Sequence, residues 1–208
     1  MKKLLFCIAV MSLTTFVFAG SGFAGFGPKF GLNIANVRGD SIPDEYESKM
    51  AFNFGVFTTY NINDFIGVQP ELMFTMKGSK AEGEIMGESY TSKLNLNYIE
   101  IPILAKLTIP LGSVRPYVVA GPEFAFNMTA TVSSEYAGQD TTVDIEDASV
   151  VDFGMMFGGG VAFELGPGFL SLEAKYDMGF LPIADEEEDA YNAYNNCLSI
   201  NLGYAFGR

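Results

Sequence analysis

The stretch FIGVQPELMFTMKG at positions 65–78 decides the fold of this chain. From Ile66 onward, every second residue is large and apolar or proline, and the residues between them are mostly small, polar or charged. One face holds Ile66, Val68, Pro70, Leu72, Phe74 and Met76. The other holds Gly67, Gln69, Glu71, Thr75 and Lys77, with Met73 as an exception. Because side chains alternate across a β-strand, the stretch predicts a strand with one apolar and one polar face.

The same alternation predicts eight strands along the chain. Their expected bounds are 29–37, 50–60, 65–78, 93–108, 114–128, 151–164, 169–178 and 196–206. The links between them alternate strictly between short (61–64, 110–113, 166–168) and long (38–49, 79–92, 129–150, 179–195). Outer-membrane barrels have short periplasmic turns, long extracellular loops and an even strand number. The pattern therefore predicts an all-β fold, an eight-stranded antiparallel up-and-down transmembrane β-barrel.

Two kinds of irregularity are expected in these strands. The alternation changes phase around Leu96 and Tyr98, which indicates a bulge in the fourth strand. Four prolines fall within the strands: Pro70, Pro102, Pro116 and Pro122. Proline cannot donate a ladder hydrogen bond, so bulges and displaced strand ends are expected there, with Pro116 close to a strand start.

The first residues have the features of a secretory signal. Lys2 and Lys3 are basic, residues 4–18 are largely apolar, and small residues precede Gly20. The apolar run is shorter than the roughly 20 residues that a membrane helix needs. We therefore expect a signal peptide over 1–19, cleaved after Ala19, and a single barrel domain over 20–208.

Composition excludes several classes of function. The 208 residues include no His and no Trp, and the formal net charge is -13. Imidazole catalysis and His-based metal sites are therefore impossible, and nucleic acid and anionic lipid are unsuitable partners. Of the two cysteines, Cys7 lies in the signal, so Cys197 is the only one in the mature chain and an internal disulfide cannot form.

Alternation alone does not say which face points inward. An eight-stranded barrel has an interior just wide enough for side chains, and each strand offers about four or five large apolar groups. Such a set would not fit inside, whereas the opposite face, rich in Gly, Ala, Ser and Asn, would. We therefore expect outer-membrane lipid around the apolar face. A soluble lipocalin-like binding barrel, with its apolar face inward, is the alternative.

Several motifs resemble those of a known family. They are YIEIP at 98–102, RPYVVAGP at 115–122, DFG at 152–154, GGG at 158–160 and LGYAF at 202–206. Together they are similar to the outer-membrane β-barrel domain family of the Bacteroidetes, which includes the PorT-like proteins. The resemblance covers residues 27–206 and implies a small barrel related in architecture to OmpX and to the OmpA membrane domain. It implies no catalytic residue and no cofactor.

Eight charged residues are expected to point into the barrel. They are Lys29, Glu71, Glu100, Lys106, Arg115, Glu123, Glu173 and Lys175. Four acids and four bases could neutralise one another, because buried charges are tolerated when they are paired and hydrogen-bonded. We interpret the set as a structural plug, with an ion pathway as the alternative. Neither catalytic, cofactor-binding nor metal-binding residues are predicted.

The excess negative charge is expected in the extracellular loops. The densest run is Asp185, Glu186, Glu187, Glu188 and Asp189, and a second group holds Asp140, Asp144, Glu146 and Asp147. Neither has the alternating ligands and central glycine of an EF-hand, so solvated acidic loops are expected, with weak divalent-cation binding as the alternative. The sequence predicts a non-enzymatic outer-membrane protein that either acts through these loops on envelope or extracellular proteins or has a structural role. A PorT-like secretion component and a narrow solute channel are alternatives.

Overall fold

The computed structural model describes residues 22–39, 46–85, 87–145, 148–183 and 193–207. Within these ranges the chain forms antiparallel strands β1 (Phe23–Arg38), β2 (Tyr46–Asn61), β3 (Ile66–Lys77), β4 (Ser79–Ile85), β5 (Glu88–Thr108), β6 (Val114–Tyr136), β7 (Gln139–Asp144), β8 (Val151–Leu165), β9 (Gly168–Gly179) and β10 (Tyr194–Phe206). No helix among the described residues is long and apolar enough to cross a membrane.

Eight of the strands close into a ring. Its order is β1-β2-β3-β5-β6-β8-β9-β10, and β10 pairs back onto β1 from Phe26↔Phe206 to Arg38↔Tyr194. Each neighbouring pair is antiparallel and is connected in chain order. This confirms the predicted eight-stranded antiparallel barrel.

The two faces of the strands point as expected. On β3, Gln69, Glu71 and Thr75 are buried, and so is Met73, the apolar exception. On the outer face, Phe30 and Phe54 each keep 58% of their surface exposed. Large apolar side chains with this exposure suit lipid, whereas a soluble binding barrel would bury them.

Two segments predicted as long loops form β-strands instead, which corrects the expectation for 79–92 and 129–150. β4 continues β3 beyond Gly78, β5 begins as early as Glu88, and β6 extends to Tyr136 before it turns into β7. Ser, Thr and charged residues occupy both faces of these segments, so they lack the alternation that marks a half-buried strand. Their backbone nevertheless continues the ladder.

Gly78 is required where β3 meets β4. Its φ is +121°, and a Cβ at this position would lie 2.0 Å from the backbone oxygen of Leu94. The registers of β2 with β3 and of β2 with β4 differ by one residue across this point. The strand can continue upward only because no side chain stands there.

The predicted irregularities are confirmed in part: a bulge lies beside Leu96 and Tyr98, and Pro116 is close to the start of β6, which begins at Val114. Leu96 and Tyr98 keep the phase of β5 and both point inward, and the register shift lies opposite them, where Asn97↔Thr129 is followed by Tyr98↔Asn127. Met128 on β6 is therefore the extra residue. The β2–β3 ladder is interrupted at Pro70 and the β5–β6 ladder beside Pro102, but in each case the register is the same on both sides. Proline removes one donor there without adding a residue to the strand.

Candidate functional site

The lower half of the lumen, toward the short turns, contains a compact ionic cluster. Lys29 Nζ lies 2.7 Å from both Glu71 Oε1 and Glu173 Oε1. Lys175 Nζ lies 2.6 Å from Glu71 Oε2 and 3.5 Å from Glu173 Oε1. All four residues are at most 3% exposed. Two ammonium groups and two carboxylates thus neutralise one another inside the barrel.

Neutral hydrogen bonds complete this lower cluster. Gln69 Nε2 donates to Glu71 Oε1 at 2.8 Å and to Glu173 Oε2 at 3.2 Å, and the Tyr117 hydroxyl donates to Glu173 Oε2 at 3.1 Å. Gly160 makes room for that hydroxyl, since a Cβ at 160 would lie 2.7 Å from it. The carboxylate oxygens therefore have donors on several sides, as a stable buried cluster requires.

A second ionic cluster lies above the first. Lys77 Nζ is 2.7 Å from Glu100 Oε1 and 3.2 Å from Glu123 Oε1, and it also pairs with Asp177. Thr75 Oγ1 donates to Glu100 Oε2 at 2.7 Å. Glu123 Oε2 receives no hydrogen bond from any described residue. One ammonium thus faces three carboxylates, and this cluster is negative where the lower one is neutral.

The three carboxylates of the upper cluster have the arrangement of metal ligands. One oxygen from each of Glu100, Glu123 and Asp177 lies within 4.8 Å of the others. The Lys77 ammonium contacts all three, so it already supplies the cation that such a group of oxygens attracts.

Two members of the upper cluster are missing from the predicted set of eight inward charges. Lys77 and Asp177 both lie on polar strand faces, but neither belongs to the predicted inward set. They sit close to the strand ends expected from the sequence, where the long loops are predicted to begin. The period-two pattern already places Lys77 on the polar face with Glu71, and its continuation from Glu173 and Lys175 reaches Asp177.

Lys106 and Arg115 do not join the salt-bridge network, which corrects the prediction of a set of eight paired charges. Lys106 Nζ donates to Gln69 Oε1 at 2.8 Å and lies 4.0 Å from the centre of the Tyr117 ring. The Arg115 guanidinium lies 4.2 Å from the centre of the Phe169 ring. Both stand near the short turns, below the level of the carboxylates, so neither reaches one.

Apolar side chains fill further parts of the lumen. One buried cluster holds Leu104, Tyr117, Val119, Met156 and Ala162. A second, at the upper end, holds Val37, Leu96, Tyr98, Ala125, Ala130 and Ile183. Beside the upper ionic cluster there is a cavity of about 20 Å³, room for about one water molecule. A larger one of about 90 Å³ opens beside Lys106 and Arg115.

Above the barrel, β2, β4, β5, β6 and β7 continue as a polar sheet, called here the extension (46–49, 79–85, 88–96 and 129–144). The lower limit of the extension is marked on the outer face by a change from apolar to polar residues. The apolar pair Ile99 and Phe126 is followed above by Asn97 and Thr129, whose side chains are hydrogen-bonded at 2.7 Å. The nine residues of β5 from 88 to 96 span up to about 30 Å at about 3.3 Å each. Hydrogen bonds to Glu82 and Glu47 raise the pKa of Lys80 there.

The predicted acidic run falls outside the residues that the structure describes. This holds for Asp185, Glu186, Glu187, Glu188 and Asp189, and equally for Glu146 and Asp147 of the second acidic group. Asp140 and Asp144 of that second group lie on β7 and are exposed.

Comparison with known proteins identifies the family. The profile of the outer membrane protein beta-barrel domain matches residues 18–185. The chain belongs to this family. As a member of the outer membrane protein beta-barrel domain family, it resides in the bacterial outer membrane, as the sequence predicted. The finer resemblance to PorT-like proteins of the Bacteroidetes stays a prediction.

Three solved structures match this chain over most of its length. The attachment invasion locus protein Ail of Yersinia pestis is 14% identical, with 88% of this chain and 99% of that chain covered and a TM-score of 0.43. Neisserial surface protein A is 16% identical, with 89% and 100% covered and a TM-score of 0.48. The N-terminal barrel domain of Pseudomonas aeruginosa OprF is 14% identical, with 88% and 99% covered and a TM-score of 0.36. A comparison with curated proteins finds no match.

Proposed function

We propose that this protein is a non-enzymatic outer-membrane component whose closed barrel holds the extension at the cell surface, where it binds an extended, basic segment of an envelope or extracellular protein. In this proposal the barrel anchors the protein in the membrane, and the extension is the binding surface. The ionic clusters keep the anchor rigid and closed.

The free edge of β7 carries the proposal. All six residues of β7 are exposed, and among the described residues this strand pairs only with β6. β7 and β8 both pair with the same side of β6, and β7 lies above β8. The next strand of the ring, β9, pairs with β8 only as far as Gly179 and does not pair with β7. Unpaired N–H and C=O groups at such an edge are a template for a further strand from another chain.

Charge indicates the chemistry of that strand. On the extension, acidic residues outnumber basic ones: Glu47, Glu82, Glu84, Glu88, Glu135, Asp140 and Asp144 against Lys49, Lys80 and Lys93. Asp140 and Asp144 lie on the edge strand itself. A basic partner would be attracted by this surface, and its association would weaken as salt is added.

Gene deletion with complementation tests the proposal. We expect deletion to reduce surface adhesion and the wild-type gene to restore it. Asp144→Lys should fail to restore adhesion, because it reverses charge on the free edge. Glu135→Lys is the matched control. It changes the charge by the same amount, but it lies on β6, which is paired on both sides, with β5 and with β7, and has no free edge there.

Three results would argue against the proposal. If Asp144→Lys and Glu135→Lys reduced adhesion equally, the effect would be due to charge and not to pairing at the edge of β7. A deletion strain with altered secreted proteins and normal adhesion would favour a PorT-like secretion role. Altered solute sensitivity with normal adhesion would favour a channel.

A further inference from the structure

We propose that the cavity at the periplasmic mouth of the barrel binds a phosphate group, held by Arg115 and Lys106. The cavity has a volume of about 90 Å³ and is lined by residues of the short β2–β3 turn, including Asp64 and Phe65, and by both cationic side chains. It lies at the opposite end of the molecule from the extension. The proposal is therefore independent of the surface function.

In the lower lumen, cations outnumber carboxylates. Lys29 and Lys175 are already neutralised by Glu71 and Glu173 in the lower cluster. Lys106 and Arg115 add two positive charges near it, and neither forms a salt bridge with any described residue. The only acid among the residues that line the cavity is Asp64, which is exposed on the turn. Partly buried cations in this position favour an anionic occupant.

Arg115 is held with its hydrogen-bond donors free. Its guanidinium packs on the Phe169 ring at 4.2 Å, and it donates no hydrogen bond to a described residue; its Nε is buried without a partner. Stacking fixes the plane of a guanidinium and leaves its edge available. Such an edge matches two oxygens of a phosphate or carboxylate.

Lys106 is positioned in a similar way. One hydrogen bond to Gln69 Oε1 and the Tyr117 ring orient its ammonium, which has three donors in all. The cavity wall also offers the hydroxyl groups of Thr59 and Thr108. Two cations and two hydroxyl donors, which approach from several directions, suit the tetrahedral oxygens of a phosphate group better than the two oxygens of a planar carboxylate. A phosphate group could come from free inorganic phosphate in the periplasm or from a phospholipid headgroup of the inner leaflet.

Calorimetric titration of the full-length mature barrel in a phosphorus-free alkyl glycoside detergent tests this site. Inorganic phosphate is one probe, and sn-glycero-3-phosphoethanolamine, a soluble headgroup diester, is the other. We expect at least one probe to bind, and Arg115→Gln to weaken it about tenfold or more, the effect of losing a charge-assisted pair. Lys106→Gln should also weaken binding, and Arg115→Lys should be intermediate because it retains the charge without the fork.

The control is Lys93→Gln, which removes one positive charge from the exposed extension and should leave the affinity unchanged. Circular dichroism establishes that each variant is folded. Tighter binding of inorganic phosphate would identify a free solute as the source, and tighter binding of the diester a lipid headgroup. The proposal is overturned if neither probe binds the wild type, or if folded Arg115→Gln and Lys93→Gln bind as the wild type does.

Discussion

Lys175 Nζ and Glu71 Oε2 are 2.6 Å apart although their strands, β9 and β3, stand on opposite sides of the eight-stranded ring. Lys29 on β1 bridges the same two strands by contacting Glu71 and Glu173. In the upper cluster, Lys77 on β3 likewise reaches across to Asp177 on β9. Side chains therefore cross the full width of the lumen at two levels. This is the physical basis of the proposed closed barrel.

The two ionic clusters should respond differently to the loss of a carboxylate. Glu71 is contacted by Lys29, Lys175 and Gln69, so Glu71→Gln should lower the free energy of unfolding by about 3 to 5 kcal/mol. Glu123 has one ion pair, at 3.2 Å, and a free oxygen among like charges. Glu123→Gln relieves repulsion and should change stability by less than about 1 kcal/mol. Urea unfolding of vesicle-reconstituted barrels measures both, and equal losses would contradict the assigned charge balance.

The upper cluster should depend strongly on Lys77, its single lysine. Lys77→Met leaves three buried carboxylates without their cation and should destabilise the barrel by about 3 to 5 kcal/mol. The additional change Asp177→Asn should recover part of that loss. The control is Lys80→Met on the extension, where the ion pairs are exposed to water and the urea midpoint should stay unchanged. An unchanged midpoint in Lys77→Met would refute the role of the cluster.

The orientation of β3 can be tested at two adjacent residues. Phe74 points outward and packs on Phe54 with ring centres 5.2 Å apart, whereas Thr75 is buried and donates to Glu100. Phe74→Arg should destabilise the barrel by about 2 to 4 kcal/mol if it lies near mid-membrane. In a cysteine scan with a lipid-soluble quencher, labels at 72 and 74 should be quenched and labels at 73 and 75 protected. The reverse pattern would invert the faces.

The signal peptide remains a prediction from the sequence. We expect cleavage after Ala19, so that mature protein isolated from outer membranes begins at Gly20. Intact-mass spectrometry of that protein measures the start directly. Retention of Met1, or recovery of the protein from the soluble periplasmic fraction, would contradict the targeting argument.

Much of the barrel could be predicted because lipid imposes a simple rule on its strands. In β3, the alternation from Ile66 to Lys77 predicts the strand, its faces and the inward position of Glu71. The extension could not be predicted in this way, since water contacts both faces of β7 and no alternation is required. Leu96 and Tyr98 are apolar residues on the inward face of β5, so the sequence suggests a change of phase there. The extra residue of the bulge is Met128, on the neighbouring strand β6.

The lumen was predictable in composition but not in pairing. The sequence identifies inward residues such as Glu173 and Arg115, yet it does not give their height in the barrel. The height of a residue depends on the stagger between strands. Arg115 lies at a different height from every carboxylate of the two clusters, whereas Lys77 lies level with three of them. Pairing of charges across a barrel therefore needs the register, which the sequence pattern alone does not fix.

Conductance in planar lipid bilayers tests the closed barrel most directly. With side chains crossing the lumen from Lys175 to Glu71 and from Lys77 to Asp177, the purified protein should give no steady large conductance. Glu71→Ala and Lys175→Ala should lower stability without opening an ion pathway. Reproducible porin-sized steps in the wild type, with an ion selectivity that either substitution alters, would contradict the account and favour a channel.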